Sequence, residues 1–282
     1  ERNAILSEAL WFRSYWYYRL VNTYGDVPFI NAEIVGAKLD FYTHSRNAIL
    51  NKIQEDLEYA AKWLPDTAEP GAISKAAAEH LLAKVYLANS EFDKAIETAT
   101  KIIDGPYELM TERFGIDAGD PQYNLIWDLH RPDNFNTPLN KETILAIVDR
   151  YEAPPEARSA GLFNMRLYHP QWFQSQVLDS EGKPGMLGSG PLYAAYGRGN
   201  ANVRLTAHYQ YNIWNYKNQT WRNTQDLRRA DISWVDIDEI KYNNPQSVDY
   251  GKTVKAEYFA NPVDTFKHLY AMPYYITYQP MD

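Results

Sequence analysis

Apolar positions recur at helical spacing through the first hundred residues. Ala4–Tyr24 reads AILSEALWFRSYWYYRLVNTY, in which Ile5, Leu6, Leu10, Trp11, Phe12, Tyr15, Trp16, Tyr18, Leu20 and Val21 leave almost no polar side. That pattern predicts a helix buried on most sides. Gly25 supplies a C-terminal cap, and Asp26-Val27-Pro28 turns the chain into an extended exit. Thr43–Leu64 is amphipathic in a cleaner way. Ile49, Leu50, Ile53, Leu57, Ala60, Ala61 and Leu64 form one stripe, Lys52, Glu55, Asp56 and Lys62 face water, and Pro65 stops the helix. In Ser74–Asp104 one apolar face holds Ala77, Leu81, Leu82, Val85 and Tyr86; a second holds Phe92, Ala95, Ile96, Ala99, Ile102 and Ile103. Asn89-Ser90 interrupts the period, which predicts two antiparallel helices joined by a tight turn.

Small Ala83 and Ala95 allow these two helices to approach closely, with Tyr86 in the wedge. Leu82, Ala83, Tyr86 and Ala95 match the leucine, glycine, tyrosine and first alanine of a tetratricopeptide (TPR) unit. The departures are Glu79 for the tryptophan, Ala83 for the glycine, and Pro106 one position early. Two readings stand, a TPR-like hairpin and a plain helical hairpin with an alanine seam. Either way one hairpin cannot bury its apolar face alone, so four consecutive helices are expected to stack. From Gly105 the pattern changes. Thr111–Lys141 carries Gly115, Gly119, Asp120-Pro121, Arg131-Pro132 and Thr137-Pro138, as irregular loop does. Thr143–Val148 is a short apolar run with the character of a buried strand. Beyond Tyr151 no long helical pattern returns, and Pro154-Pro155, Gly182 to Gly190 and Gly197-Arg198-Gly199 mark long loops. The expected fold class is mainly α: TPR-like helical repeats over 1–110, and a loop-rich region with a few short strands over 111–282, the two forming one fold.

Composition narrows the function. A formal charge of −8 without long runs argues against nucleic acid or an anionic membrane as partner. The absence of Cys removes disulfides, thiolate catalysis and zinc–cysteine sites together. No apolar run approaches the ~20 residues of a membrane span. The 23 Tyr and 8 Trp outnumber the 10 Phe, and rings with a polar edge suit half-exposed surfaces.

No catalytic constellation stands out. The six His are scattered without metal-ligand spacing and read as surface or hydrogen-bonded residues. Gly188-Ser189-Gly190 lacks the glycine of a nucleophile elbow, because Leu187 occupies that place. Asp236, Asp238 and Glu239 could hold a hard cation but lack a closing bidentate residue at the right spacing, so a solvated acidic turn is favoured. Arg222, Arg228 and Arg229, near Asp226 and Asp231, are expected to form an ion-pair web. No cofactor or metal is expected.

One stretch does stand out: His208–Trp221, HYQYNIWNYKNQTW, in which five aromatic rings alternate with Gln and Asn. Flat rings beside amides are the composition a neutral sugar requires, since the C–H face of a pyranose sheds water against a ring and amides meet its hydroxyls. As a half-buried strand, Tyr209, Tyr211 and Ile213 would turn inward, and Trp214, Tyr216 and Trp221 break that alternation toward solvent. Trp172, after Pro170-Gln171, and Tyr193 and Tyr196, beside a Gly/Pro-rich loop, are further aromatics on loops. The candidate ligand-binding residues are therefore Trp172, Tyr193, Tyr196, Trp214, Tyr216 and Trp221. One sugar face against one ring removes on the order of 100 Å² of apolar surface, about 2.5 kcal/mol gross. Two or three such platforms, less association costs, predict affinities of roughly millimolar to tens of micromolar.

Ala9-Leu10-Trp11-Phe12-Arg13-Ser14-Tyr15-Trp16-Tyr17-Tyr18-Arg19-Leu20-Val21, followed by Tyr24-Gly25-Asp26-Val27-Pro28-Phe29-Ile30, resembles the SusD/RagB family. Further matching segments follow in the same order: Ile53…Asp56-Leu57…Ala60…Leu64-Pro65, Ala77…Ala83-Lys84-Val85-Tyr86-Leu87 and Glu142-x-Ile144-x-x-Ile147. The resemblance is strong over Glu1–Val148 and weak afterwards. It implies a surface glycan-binding lipoprotein of a Bacteroidetes outer membrane, not an enzyme, that delivers oligosaccharide or polysaccharide to a SusC-like TonB-dependent transporter. It also implies a lipid anchor and C-terminal helical repeats with no counterpart here, so that the chain reads as a fragment. Helices around Tyr17–Tyr24 and Tyr86 would then serve scaffold and partner roles. Two other classes remain open: a TPR-like protein-interaction module that binds through the hairpin groove, and a carbohydrate-active enzyme whose carboxylates come from distant positions.

Overall fold

A computed structural model of the chain describes residues 1–69, 71–135, 137–146, 167–190, 197 and 199–274. Contacts divide it into two units, Glu1–Met110 with Lys141–Val148, and Thr111–Asn140 with Asp149–Asp282.

The first unit is helical. Helix α1 (Arg2–Tyr24) ends at Gly25, whose φ of 76° is left-handed and whose N–H donates to the Val21 carbonyl at 3.1 Å. The extended exit forms a short antiparallel pair, β1 (Val27–Pro28) with β2 (Thr43–His44). Helix α2 (Arg46–Trp63) starts at Ser45, whose hydroxyl accepts from Ala48 N–H. Ile49, Leu50, Ile53, Leu57 and Ala60 are fully buried along it, on the stripe that the period predicts. Helices α3 (Lys75–Ala88) and α4 (Phe92–Ile103) make the hairpin, with Ala83 and Ala95 buried between them.

Specific polar ties lock these helices in register. The Trp11 indole donates to the Ala77 carbonyl at 3.2 Å, which joins α1 to α3. Tyr86 Oη donates to Glu58 at 2.9 Å and Asn89 donates to Gln54 at 2.7 Å, which join the hairpin to α2. Asp56, expected in water, is instead buried and accepts from Arg13 at 2.9 and 2.5 Å, because α1 lies across that side of α2. Burial of this carboxylate is tolerable because the Arg13 guanidinium, and Lys52 at 3.4 Å, neutralise it.

Helix α1 departs from expectation in its burial. Only Ser7, Trp11, Ser14 and Val21 are buried, and the two serines let α2 approach closely: Ser14 Oγ donates to the Ile53 carbonyl at 3.4 Å. The opposite side leaves Ile5, Phe12, Trp16 and Leu20 exposed, since α2 and α3 cover one side of the helix. Phe92, Ile96 and Ile103 on α4 are likewise exposed. The run Thr143–Val148 is not a strand over its described part. Up to Ala146 it is irregular, although Ile144 and Leu145 pack on the first core. It is tied by Glu108 N–H to the Lys141 carbonyl at 3.2 Å and by Met110 N–H to Glu142 at 3.1 Å. Val148 and Ile147 lie outside the described residues.

The second unit is loop-rich, with helix α5 (Leu125–His130), single helical turns and the antiparallel pair β3 (Trp234–Val235) with β4 (Met272–Pro273). Side chains do the work that ladders do elsewhere. Arg113 pairs with the fully buried Asp128 and also donates to the carbonyls of Asp117, Asp120 and Tyr123, at 2.5, 3.0 and 2.6 Å. One guanidinium fork thereby satisfies three loop carbonyls that have no strand partner. At Gly115, with φ of 78°, a Cβ would fall 2.1 Å from Asn134 Oδ1, so this loop requires glycine both for its conformation and for room. The expected fold class is borne out: mainly α, TPR-like in its helices, with few short strands.

Candidate functional site

The aromatic–amide stretch folds as helical turns rather than as a strand. Thr206 caps Ala207–Gln210, its hydroxyl accepting from Tyr209 N–H at 3.4 Å, and Asn212–Trp214 forms a further 3₁₀ turn. The period of four then decides which rings are wet. Gln210 and Trp214 turn inward together, while Tyr209 and Ile213 turn outward together. This reverses the strand expectation for Tyr209, Ile213 and Trp214. Trp214 donates to the Tyr209 carbonyl at 2.9 Å and meets Trp234 edge-on at 6.3 Å, in a core with Ala271.

Trp172 is also a core residue, 1% exposed among Val177, Met186, Ile240 and Tyr242. Gln171 N–H donates to the Lys267 carbonyl and His268 bonds the Gln171 carbonyl, which binds the Thr265–His268 turn to the segment that carries the indole. Neither Trp172 nor Trp214 offers a ring to solvent, so both are corrected to structural positions. Tyr193 and Tyr196 lie outside the described residues.

Tyr216 and Trp221 remain. Tyr216 is 65% exposed on the turn Tyr216–Gln219, which closes through Gln219 N–H to the Tyr216 carbonyl at 3.0 Å. Both central residues, Lys217 (φ 48°) and Asn218 (φ 67°), are left-handed, as a type I′ turn requires. Trp221 is half-buried, tilted against Tyr211 at 5.3 Å, with the Arg222 guanidinium 4.0 Å and the Arg229 guanidinium 4.9 Å from its ring. Tyr209, 42% exposed, adds a ring that alternation had placed inside. Helical spacing of Gln210 with Trp214 was the signal that could have found it.

The acidic cluster is solvent-exposed at Asp238 and Glu239, as expected of a solvated turn, and buried at Asp236. Arg229 holds Asp236 at 2.6 Å, Arg222 holds Asp238 at 3.0 Å, and Glu239 accepts from Asp236 N–H at 2.6 Å. Desolvation raises the carboxyls of Asp236 and Glu239 above their ordinary range, against the pull of Arg229 on the former. Arg228 pairs with Asp226 at 2.6 Å as expected, whereas Arg222 and Arg229 take Asp238 and Asp236. Among the described residues no group of three His, Asp or Glu could hold a metal ion, and no helix is long and apolar enough to cross a membrane. The first unit adds a groove of about 760 Å³ beside α1 and α3, lined by Phe12, Tyr15, Trp16, Leu81 and Leu145 among others.

Comparison with known proteins points one way. A SusD-like family model, described as "Starch-binding associating with outer membrane", matches residues 1–87. The SusD-like protein P2 of Formosa agariphila is 34% identical over 140 residues, which are 49% of this chain and 26% of that protein. The SusD-like protein P25 of the same organism is 26% identical over 132 residues, 44% of this chain and 25% of that one. The matched stretch is thus about a quarter of either relative's length. Among solved structures, NanU of B. fragilis superposes with a TM-score of 0.58 at 15% identity, over 98% of this chain and 48% of that one. A laminarin-binding SusD-like protein superposes with 0.54 at 17% identity, over 96% and 57% respectively. At those identities the likeness is one of fold. The resemblance carried by the N-terminal residues therefore holds: the chain is similar to SusD-like proteins in sequence over its first helices, and to a SusD-like structure in fold over nearly its whole length.

Proposed function

We propose that this chain captures saccharides at a cell surface, without transforming them, and passes them to a SusC-like TonB-dependent transporter in the outer membrane. Residues 1–110 act as the helical scaffold and 111–282 as the ligand-binding region of a lipid-anchored protein. The observation that carries the reading is the exposed Tyr216 on its turn, with half-buried Trp221 five residues along the same segment, in a fold like that of SusD-like proteins. Tyr193 and Tyr196 are retained as further candidates. Stacking on two rings supplies about 5 kcal/mol gross, and association costs reduce it, so the expected affinity is about millimolar or weaker. Weak capture suits a protein that must release its ligand to a partner.

Affinity electrophoresis through a panel of polysaccharides tests this. Wild type should be retarded by at least one of them, and Tyr216→Ala should weaken that retardation by at least about tenfold, since one stacking face is worth up to about 2.5 kcal/mol. Trp221→Ala should do the same with an unchanged circular dichroism spectrum. Release of new reducing ends during incubation with oligosaccharides would contradict the non-enzymatic reading. The groove beside α1 favours a second reading, peptide or partner binding by the helical unit. Under that reading Trp16→Ala abolishes partner capture and leaves saccharide retardation intact.

A further inference from the structure

We propose that, given the saccharide reading above, the segment Tyr216–Asn223 takes a saccharide bearing carboxylate or sulfate groups, with Lys217 and Arg222 as its specificity-determining cations. The first reason is the hydrogen-bonding balance of the surface. Asn215 Oδ1 accepts from Trp221 N–H at 3.2 Å, and Gln219 Oε1 accepts from Gln225 N–H at 3.2 Å. Asn223 Oδ1 accepts from both the N–H and the hydroxyl of Thr220, at 2.6 and 3.0 Å. An amide that accepts from a backbone N–H must present its oxygen inward, so these three side chains keep their NH₂ groups for a ligand. The amides that suit neutral hydroxyls in composition are thus donors in the fold.

The second reason is charge. Within 204–229 the chain has Arg204, Lys217, Arg222, Arg228 and Arg229 against Asp226 alone, in a protein of net charge −8. Two neighbouring acids are matched by other cations: Asp226 by Arg228 and Asp236 by Arg229. Lys217 has no carboxylate within ion-pair distance among the described residues, and its ammonium stands 5.1 Å from the Tyr216 ring. A lysine at φ 48° is unfavourable in itself, and the turn fixes that cation at its tip. Arg222 lies against Trp221 and pairs with Asp238 through side chains that are 60% and 49% exposed. An exposed pair of that kind is weakly held, so the guanidinium is free to exchange Asp238 for a ligand anion. Donors without acceptors, beside two cations and two rings, complement an acidic sugar rather than a neutral one.

The test uses the whole 282-residue chain and matched pairs of ligands: polygalacturonate with its methyl ester, and a sulfated galactan with its desulfated form. In affinity electrophoresis and titration calorimetry the charged member of at least one pair should bind about tenfold more tightly. That advantage should shrink in ~0.5 M salt, where exposed charges are screened. The pectic and galactan arms separate carboxylate from sulfate recognition. Lys217→Gln with Arg222→Gln should remove the preference, bringing the charged and uncharged members to equal binding, and the melting temperature shows that the variant is folded. Equal binding of charged and uncharged forms overturns the inference. If neutral polysaccharides alone retard the protein, and Tyr216→Ala abolishes that, the saccharide reading survives and the anionic preference falls. No retardation by charged or neutral polysaccharide removes both.

Discussion

Trp214 and Tyr216 are two positions apart, yet one ring is 6% exposed and the other 65%. Trp214→Ala removes a packed indole and its bond to the Tyr209 carbonyl, and should cost about 3–5 kcal/mol, read as a lower melting temperature. Tyr216→Ala should leave the melting temperature within about a degree and act on ligand alone. Asp249 gives a second test at a single side chain. The Lys252 ammonium at 2.8 Å, with Ser180, holds its carboxyl down to about 2 from the usual 3.8. Its folded value lies below its unfolded one, so its contribution to stability is full above about pH 4 and is lost as pH falls through about 2. Asp249→Asn should therefore be less stable than wild type at neutral pH, and the difference should narrow in acid denaturation below about pH 4. A difference that grows with acid would reverse the sign and contradict the pairing.

The helices were legible in the sequence because one period governs each of them, and their caps stand where the period breaks. Ser45, Ser74 and Gly25 terminate α2, α3 and α1 at or near the expected positions. What periodicity could not supply was the neighbour on each face. Helix α1 carries apolar residues all round, which predicts burial, but α2 and α3 cover one side of it and leave Phe12 and Trp16 wet. Asp56 illustrates the converse: a charged residue within an amphipathic helix reads as solvent-facing until Arg13 arrives from 43 residues away. Asp56→Ala leaves that guanidinium half-enclosed without its partner, and should destabilise the helical unit by about 1.5–3 kcal/mol in denaturant titration. The aromatic stretch failed for a related reason. Tyr209, Tyr211 and Ile213 alternate as in a strand, but Thr206 caps a helical turn there, and a change of period from two to nearly four turns Tyr209 and Ile213 outward and Trp214 inward.

Taken whole, the protein pairs a unit of four stacked helices with a unit of loops held by buried side-chain bonds. The loop unit keeps its shape without long ladders because groups such as Arg113 and Asn134 satisfy its carbonyls. Such a frame can hold a turn like Tyr216–Gln219 in a left-handed geometry that a loose loop would relax. Most of the proposed binding surface was illegible for that reason: it depends on which rings the side-chain network pulls inward, and Trp172 and Trp214 are buried. On the proposed reading, a left-handed turn presents rings to saccharide without a reactive group beside them. The most direct test of that reading is the retardation of wild type and Tyr216→Ala through a polysaccharide panel, with reducing ends assayed in the same samples. The account predicts retardation of wild type, weakening by at least about tenfold in the variant, and no new reducing ends. Wild-type and variant proteins that migrate alike through every gel, or steady release of reducing ends, would contradict it.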